Sequence, residues 1–288
     1  MERSLKYFLR GFICLWCGIT LSCNQAESIL YQKVISGQDS LLLSESLLNG
    51  AGTDFYYQGT VSERMVIHEG NKFNEGNAWG ARELGVPYLK RGFAAEAQAH
   101  YADAILADPE EWLGYKGYCW LYFYRDYERA LEELERFDAF TPGFVDYPQA
   151  TSVDYMKGIC HLQLGQKEKA IQLLEINLQK EKEETGVEYT ELMNYQMLAI
   201  AYHQNGAWEA ADKVYKEGLK HNENSADLWF HYADNLYEMK RLEEARNALV
   251  QSQSWYNKGS RNFRPYVEEF YAIYQEDIDA LHGKLYTR

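Results

Sequence analysis

The sequence predicts an all-α fold, a solenoid of antiparallel helix pairs with a C-terminal capping helix. Three observations predict it. Small and aromatic residues recur through 78–259 with a period near 34 residues, which is typical of helix-pair repeats. Alanine stands at the same place in five copies, with separations of 33, 40, 41 and 34 residues. A last segment, 265–282, has one apolar stripe at helical spacing, as the end of a solenoid requires.

Composition and charge exclude several classes of function. The 288 residues include 43 acidic and 29 basic side chains, giving a net charge of −14, and 46% of the residues are hydrophobic. This is the composition of a globular protein. A strongly acidic chain is a poor candidate for nonspecific nucleic-acid binding or for docking to anionic lipid, because both need clustered Lys and Arg.

The N-terminus has the pattern of a secretory signal. A basic stretch, 1–10, precedes the uncharged apolar run 11–22, which is too short to span a bilayer. The run ends in Leu-Ser-Cys at 21–23 and resembles the lipobox of bacterial lipoproteins, although Thr20 replaces the preferred Leu. The resemblance implies a lipidated Cys23 as the mature N-terminus, with net charge −16. Secretion without lipid and an uncleaved anchor remain the alternatives.

The segment 23–77 follows as a tether and a candidate N-terminal cap. A short helix is expected over 39–50, with Asp39 or Ser40 as N-cap and Gly50 as its end. The rest of this segment, 51–77, is rich in Gly and Asn and predicts no definite structure.

The repeats begin at residue 78. The first copy, 78–111, has Gly85 and Ala97 where two helices must approach closely, and Gly92 at the turn between them. Its full pattern, together with four further copies at 111–144, 151–184, 192–225 and 226–259, resembles the tetratricopeptide repeat (TPR). The resemblance implies a right-handed superhelix that binds protein segments on its inner face. In the second copy, either Gly117 or Cys119 could be the small contact residue.

Two connections between repeats are longer than the others. The first, 141–152, contains two prolines and a glycine and predicts a loop. In the second, 179–189, the preceding helix is expected to continue and to end at Gly186. The final element, within 260–288, is predicted as a capping helix over 265–282, whose stripe consists of Val267, Phe270, Tyr274, Ile278 and Leu281.

Catalytic chemistry finds no support in the sequence. It contains no GxSxG, P-loop, HExxH or dinucleotide fingerprint, and the histidines do not form metal-ligand spacings on one helix face. No catalytic residue, metal or cofactor is therefore expected. Cys119 and Cys160, the two cysteines after Cys23, are expected to be buried free thiols.

The TPR resemblance also implies which residues line the groove. In that family the first helix of each repeat contributes its second, fifth, ninth, twelfth and thirteenth positions. Here these are Trp79, Arg82, Lys90, Tyr155, Gln163, Gln196, His203, Gln204, Phe230, Asp234, Tyr237 and Glu238. The paired Lys and Asn of chaperone-binding members are missing, so a C-terminal carboxylate is a doubtful ligand. The register of the aromatic residues in repeat 2 stays open.

These features predict a non-enzymatic, lipid-anchored protein at the bacterial cell envelope, on the outer membrane. It would hold an extended protein segment, with any basic residues of that segment placed near repeat 5. The alternative is an accessory component of an outer-membrane uptake or export system that binds a glycan or a peptide. A groove filled by the chain's own N-terminal segment is the competing expectation for the site. Nucleic acid is not expected as a partner.

Overall fold

The computed structural model describes residues 37–51 and 57–286. Within them the regular structure is helical, with thirteen α-helices and no strand. The predicted signal segment and Cys23 lie outside the described residues. The helices are α1 Gly37–Ala51, α2 Val61–Phe73, α3 Ala78–Lys90, α4 Ala94–Ala107, α5 Pro109–Cys119, α6 Tyr127–Asp138, α7 Val153–Gln163, α8 Lys167–Thr185, α9 Leu192–Gln204, α10 Trp208–His221, α11 Ala226–Glu238, α12 Leu242–Asn257 and α13 Gln275–Tyr286.

The chain divides into two compact units between Pro87 and Tyr88. In the first unit, α1 and α2 pack on each other around Leu48, Ile67 and Leu84. Gly70 lets them approach, since a Cβ there would lie 2.9 Å from Leu48 Cγ. The helix expected over 39–50 is present as α1, but it begins at Gly37, so Asp39 and Ser40 lie in its first turn and neither is the predicted N-cap. The Gly- and Asn-rich sequence gave no indication of α2, which begins after the N-cap Thr60.

The second unit stacks helix pairs in the order of the repeats. Each of α5/α6, α7/α8, α9/α10 and α11/α12 forms a packed antiparallel pair. Glycine permits a close approach of the two helices in three of them, α5/α6, α7/α8 and α9/α10. A Cβ at Gly117 would lie 2.7 Å from Leu134 Cγ, and one at Gly158 would lie 2.8 Å from Leu174 Cγ. The predicted all-α TPR solenoid is confirmed, and Gly117 is the small contact residue of repeat 2.

Repeat 2 departs from regular helical geometry. Its first helix, α5, passes into a π-helix over Trp120–Tyr124, and Arg125 follows in the left-handed conformation with φ 54°. A π-turn holds more residues than an α-turn, so the side chains after it are rotated relative to those before it. The π-helix therefore explains why the sequence did not decide which of these aromatic residues face the groove.

The two long connections have the predicted character. Residues 139–152 form a loop with one short 3₁₀ turn, Pro148–Ala150. Helix α8 continues through the charged run to Thr185 and ends at Gly186, whose φ of 89° favours glycine. Cys119 and Cys160 are both buried, and neither forms a disulfide bond within the described residues. Burial raises the pKa of the Cys160 thiol to about 12, so this thiol stays protonated.

The C-terminal helix begins ten residues later than the predicted start at 265. It covers Gln275–Tyr286 and buries Ile278, Leu281 and Leu285, which pack together with residues of α12. Residues 262–274 are not helical. None of the described helices is both long and apolar enough to cross a bilayer.

Candidate functional site

The non-helical segment 262–274 lies across the first helices of repeats 2 to 5. It is termed the strap below. The surface that it covers is termed the groove, and its floor is formed by side chains of α5 with its π-helix, α7, α9 and α11. The floor residues in contact with the strap are Tyr118, Tyr122, Gln163, Gln196, Gln204, Asp227 and His231. The C-terminal part of the chain thus occupies the groove; of the N-terminal segment expected as an occupant, residues 23–36 and 52–56 lie outside the described residues.

One carboxylate holds both ends of the strap. Asp227, in the first turn of α11, is fully buried. The backbone N–H of Asn262 donates to its Oδ2 at 2.8 Å, and the backbone N–H of Ile273 donates to its Oδ1 at 3.2 Å. Burial raises the pKa of Asp227 to about 6, and the two backbone hydrogen bonds offset part of that rise.

Near its beginning, the strap places an arginine on two groove tyrosines. The Arg264 guanidinium carbon lies 3.9 Å from the centroid of the Tyr122 ring, and Nη1 donates to the Tyr118 hydroxyl at 3.2 Å. Its Nε pairs with the buried carboxylate of Glu269 at 2.8 Å. A partly buried guanidinium is thereby both paired with a carboxylate of the strap and stacked on a groove tyrosine.

The next anchor is a buried phenylalanine. Phe270 is 5% exposed, and its ring centroid lies 5.5 Å from that of Tyr122 and 6.3 Å from that of Tyr127. The Arg125 guanidinium carbon covers the ring at 3.9 Å and the same side chain donates to the Glu268 carbonyl. Aromatic and cation–π contacts of this kind add to the free energy of burial.

Tyr271 accepts hydrogen bonds from three helices, α7, α9 and α11. Its hydroxyl accepts from Gln163 Nε2 at 2.8 Å and from Gln204 Nε2 at 3.0 Å. Its carbonyl lies 2.8 Å from His231 Nε2. Since a carbonyl only accepts, that nitrogen carries the proton, and burial lowers the pKa of His231, which keeps the ring neutral.

These contacts explain why 265–274 is not the predicted helix. Backbone groups that would bond within a helix bond instead to Asp227, Arg125 and His231. Tyr266 and Tyr271 adopt left-handed conformations with φ 68° and 55°, which cost about 1–2 kcal/mol each for residues with a Cβ. Partners distant in the sequence therefore outweigh the local helical pattern.

Three polar atoms in this region have no hydrogen-bond partner among the described residues. They are the hydroxyls of Tyr122 and Tyr155 and the Nε2 of Gln196, and all three side chains are buried. The Gln196 carbonyl oxygen, in contrast, accepts from Asn262 Nδ2 at 2.8 Å. The strap therefore satisfies only part of the hydrogen-bonding capacity of the floor.

Four of the residues predicted for the groove contact the strap. They are Gln163, Gln196 and Gln204, through the hydrogen bonds described above, and Lys90, whose Nζ lies 4.5 Å from the ring centroid of Tyr266. Tyr155 is buried in the core beside them rather than exposed to a ligand.

The remaining predicted residues of repeats 4 and 5 lie on α9 and α11. His203 bonds to Asn235 Oδ1 at 3.0 Å and lies 3.5 Å from Asp234 Oδ2. Phe230 packs edge-on against the His231 ring, with centroids 5.3 Å apart. Tyr237 faces Lys240 and Lys284, and Glu238 is partly exposed.

The two residues of the first unit that were predicted for the groove have contacts within that unit. Trp79 packs against the cluster of Leu48, Ile67 and Leu84. Arg82 is partly buried and pairs with Glu83.

The sequence prediction missed the strap, Asp227, Tyr122 and His231. Two of these residues stand at positions that the TPR resemblance assigns to the groove. Asp227 is the second residue of repeat 5, and Tyr122 is the twelfth residue of repeat 2 when that repeat starts at 111. His231 lies beside a predicted position, Phe230. No cluster of three or more metal-ligating side chains is present in the part of the chain that the structure describes.

Comparison with known proteins identifies the fold. Residues 196–261 match the family described as tetratricopeptide repeat. The fold is that of tetratricopeptide repeat proteins. A TPR protein from Parabacteroides merdae superimposes with a TM-score of 0.61 at 16% identity, covering 85% of this chain and 86% of that one. No curated protein matches the sequence.

Two further TPR structures carry descriptions that concern function. PilW, described as a widely conserved type IV pilus biogenesis factor, superimposes with a TM-score of 0.59 at 16% identity, covering 90% of this chain and 100% of that one. YrrB, described as a TPR protein with an unusual peptide-binding site, gives 0.50 at 15% identity over 66% of this chain and 91% of that one. At these identities the likeness shows the fold alone.

Proposed function

We propose that this chain is a non-enzymatic, lipid-anchored TPR protein that binds an extended segment of a partner protein at the bacterial cell envelope. The observation that carries the proposal is the groove itself. Its floor of aromatic, amide and carboxylate side chains holds a non-helical segment through both backbone and side-chain contacts. This is the chemistry that recognition of an extended peptide requires.

The solved relatives agree with a binding role. TPR solenoids present extended surfaces that bind protein segments, and one similar structure, YrrB, is described as having a peptide-binding site. Another, PilW, is described as a pilus biogenesis factor, which favours a role in assembly at the envelope. The acidic chain, with net charge −14, favours a protein partner over nucleic acid.

Site-specific crosslinking tests the binding role. A photo-crosslinking residue at the exposed Gln204, on the groove, should capture a partner protein in stoichiometric yield from envelope extracts. The same residue at the exposed Lys213, on the second helix of the same repeat, is the control and should not. Capture at Lys213 and not at Gln204 would place binding on another face, and captured glycan in place of protein would support the uptake alternative.

Membrane fractionation tests the anchor. The lipobox-like sequence places the acyl chains on Cys23, and each buried methylene contributes about 0.8 kcal/mol to membrane affinity. Cys23→Ser should therefore move the protein from the membrane to the soluble fraction, whereas Cys17→Ser, within the predicted signal, should not. Retention of the Cys23→Ser protein on salt-washed membranes contradicts the anchor.

A further inference from the structure

The strap is an internal example of what the groove can bind. It presents an arginine to Tyr118 and Tyr122, a phenylalanine to Tyr122, and backbone N–H groups to Asp227. An extended segment from another protein with the same groups could make the same contacts. The groove therefore indicates the chemistry of its partner, because its occupant is visible.

The strap also fits the groove imperfectly. The Tyr122 hydroxyl and Nε2 of Gln196, two atoms of the floor, are buried without a hydrogen-bond partner among the described residues. A buried polar group without a partner destabilises the arrangement that buries it. An occupant whose backbone or side chains reach these atoms would bind the same floor more favourably than the strap does.

Backbone strain in the strap also favours its replacement by another segment. Two strap tyrosines, Tyr266 and Tyr271, have positive φ values of 68° and 55°, and such conformations persist only when surrounding contacts enforce them. Release of the strap would relieve this strain. A separate segment, which is not tied to α12 and α13 at its two ends, could follow the floor without it.

We infer that the groove binds an extended protein segment with an arginine and, six residues later, an aromatic residue, and that this segment replaces the strap. The arginine takes the place of Arg264 on Tyr118 and Tyr122, and the aromatic side chain takes the place of Phe270. Asp227 accepts backbone N–H groups of the incoming segment. The inference rests on the proposed function and specifies its partner.

The strap limits binding by competition. A segment tethered within its own chain has an effective concentration of about millimolar or higher. A free segment at micromolar concentration therefore gains access only if it binds the floor better or if the strap is weakened. Weakening the strap without touching the floor is the direct way to expose the site.

The test uses a fluorescein-labelled synthetic peptide with the sequence of residues 261–275 and the full chain in three forms. The first form is unaltered, the second carries Phe270→Ala, and the third carries Phe263→Ala as the matched control. Phe270 is 5% exposed and Phe263 is 81% exposed, so only Phe270→Ala weakens the strap. Circular dichroism and thermal unfolding establish that each form is folded.

Fluorescence anisotropy should show that the peptide binds the Phe270→Ala chain at least about tenfold more tightly than either other form. A peptide that lacks the arginine at 264 and the phenylalanine at 270 should lose this binding. If a folded Phe270→Ala chain does not bind the peptide, the strap is a permanent part of the fold and the inference is wrong.

The crosslinking experiment separates this result from failure of the proposed function. With a displaceable strap, capture of the partner at Gln204 should increase at least about tenfold in the Phe270→Ala chain and stay unchanged in the Phe263→Ala chain. Equal capture by all three forms would keep the binding role and overturn strap replacement. No capture at Gln204 by any form, with normal peptide binding, would overturn the binding role alone.

Discussion

The carboxylate that holds the strap should make stability depend on pH in an unusual direction. Burial raises the pKa of Asp227 from 3.8 to about 6. An acid with a raised pKa binds its proton more tightly in the folded chain than in the unfolded one. Its stabilising contribution is therefore complete below about pH 4 and is lost as the pH rises through about 6.

The size of the pH effect on stability follows from the pKa shift of Asp227, and the substitution Asp227→Asn isolates this effect. A difference of about two pKa units corresponds to about 3 kcal/mol, at 1.36 kcal/mol per unit. Asp227→Asn removes the titration while keeping a side chain of the same shape. The variant loses one acceptor, toward the Asn262 N–H, which lowers its stability by about 1–2 kcal/mol at every pH. Only the pH-dependent part of the difference in unfolding free energy between the two proteins reports the titration of the Asp227 carboxyl group.

Urea unfolding of both proteins at about pH 4 and about pH 8 measures this part. The unaltered chain should lose about 3 kcal/mol relative to Asp227→Asn between the two conditions. Other titrating groups are common to both proteins and cancel in the comparison. Exchange of the Ile273 amide should become faster in the unaltered chain over the same interval, because opening of the strap returns the carboxylate to water. A pH-independent difference, or one of opposite sign, would refute this account of the buried carboxylate.

The packing of the repeats yields two further predictions. Gly158→Ala should destabilise the protein by about 1–3 kcal/mol in thermal or urea unfolding, since the new Cβ would lie 2.8 Å from Leu174. Gly283→Ala, where a Cβ meets no atom within 4 Å, should instead stabilise α13 by up to about 1 kcal/mol, and equal effects would contradict the close-approach argument. Ser225→Ala should cost about 1 kcal/mol, because Ser225 Oγ caps α11 by accepting from Leu228 N–H at 3.2 Å. Ser225→Gly should cost only a few tenths, and a similar loss in both would exclude the cap as the cause.

The predictable parts of the fold are those with local causes. Each repeat needs small residues where its two helices meet, and the clash that a Cβ at Gly158 would make with Leu174 shows why the sequence keeps them. The end of α8 at Gly186 was likewise predictable, because a positive φ of 89° favours glycine. Such determinants act over a few residues and repeat along the chain, so periodicity reveals them.

The strap was not predictable because its determinants are distant in the sequence. Its apolar residues follow a helical spacing, and no local feature opposes the helix predicted from Pro265. Asp227 and Arg125 provide the competing backbone partners, and Arg125 contacts a residue 143 positions away. The groove residues of repeat 2 were obscured for a different reason, the π-helix at Trp120–Tyr124, which changes the side-chain register within one helix.

The sequence distance of the strap contacts also sets an order of events during synthesis. Contacts within a repeat join residues about one helix pair apart, whereas the hydrogen bond from Arg264 to Tyr118 spans 146 positions. Neighbouring helices can pair as soon as each leaves the ribosome, while the strap must wait for residues 262–274. A newly made chain therefore passes through an interval in which its repeats are folded and its groove is open. A partner present during that interval meets the floor before the chain's own segment can compete for it.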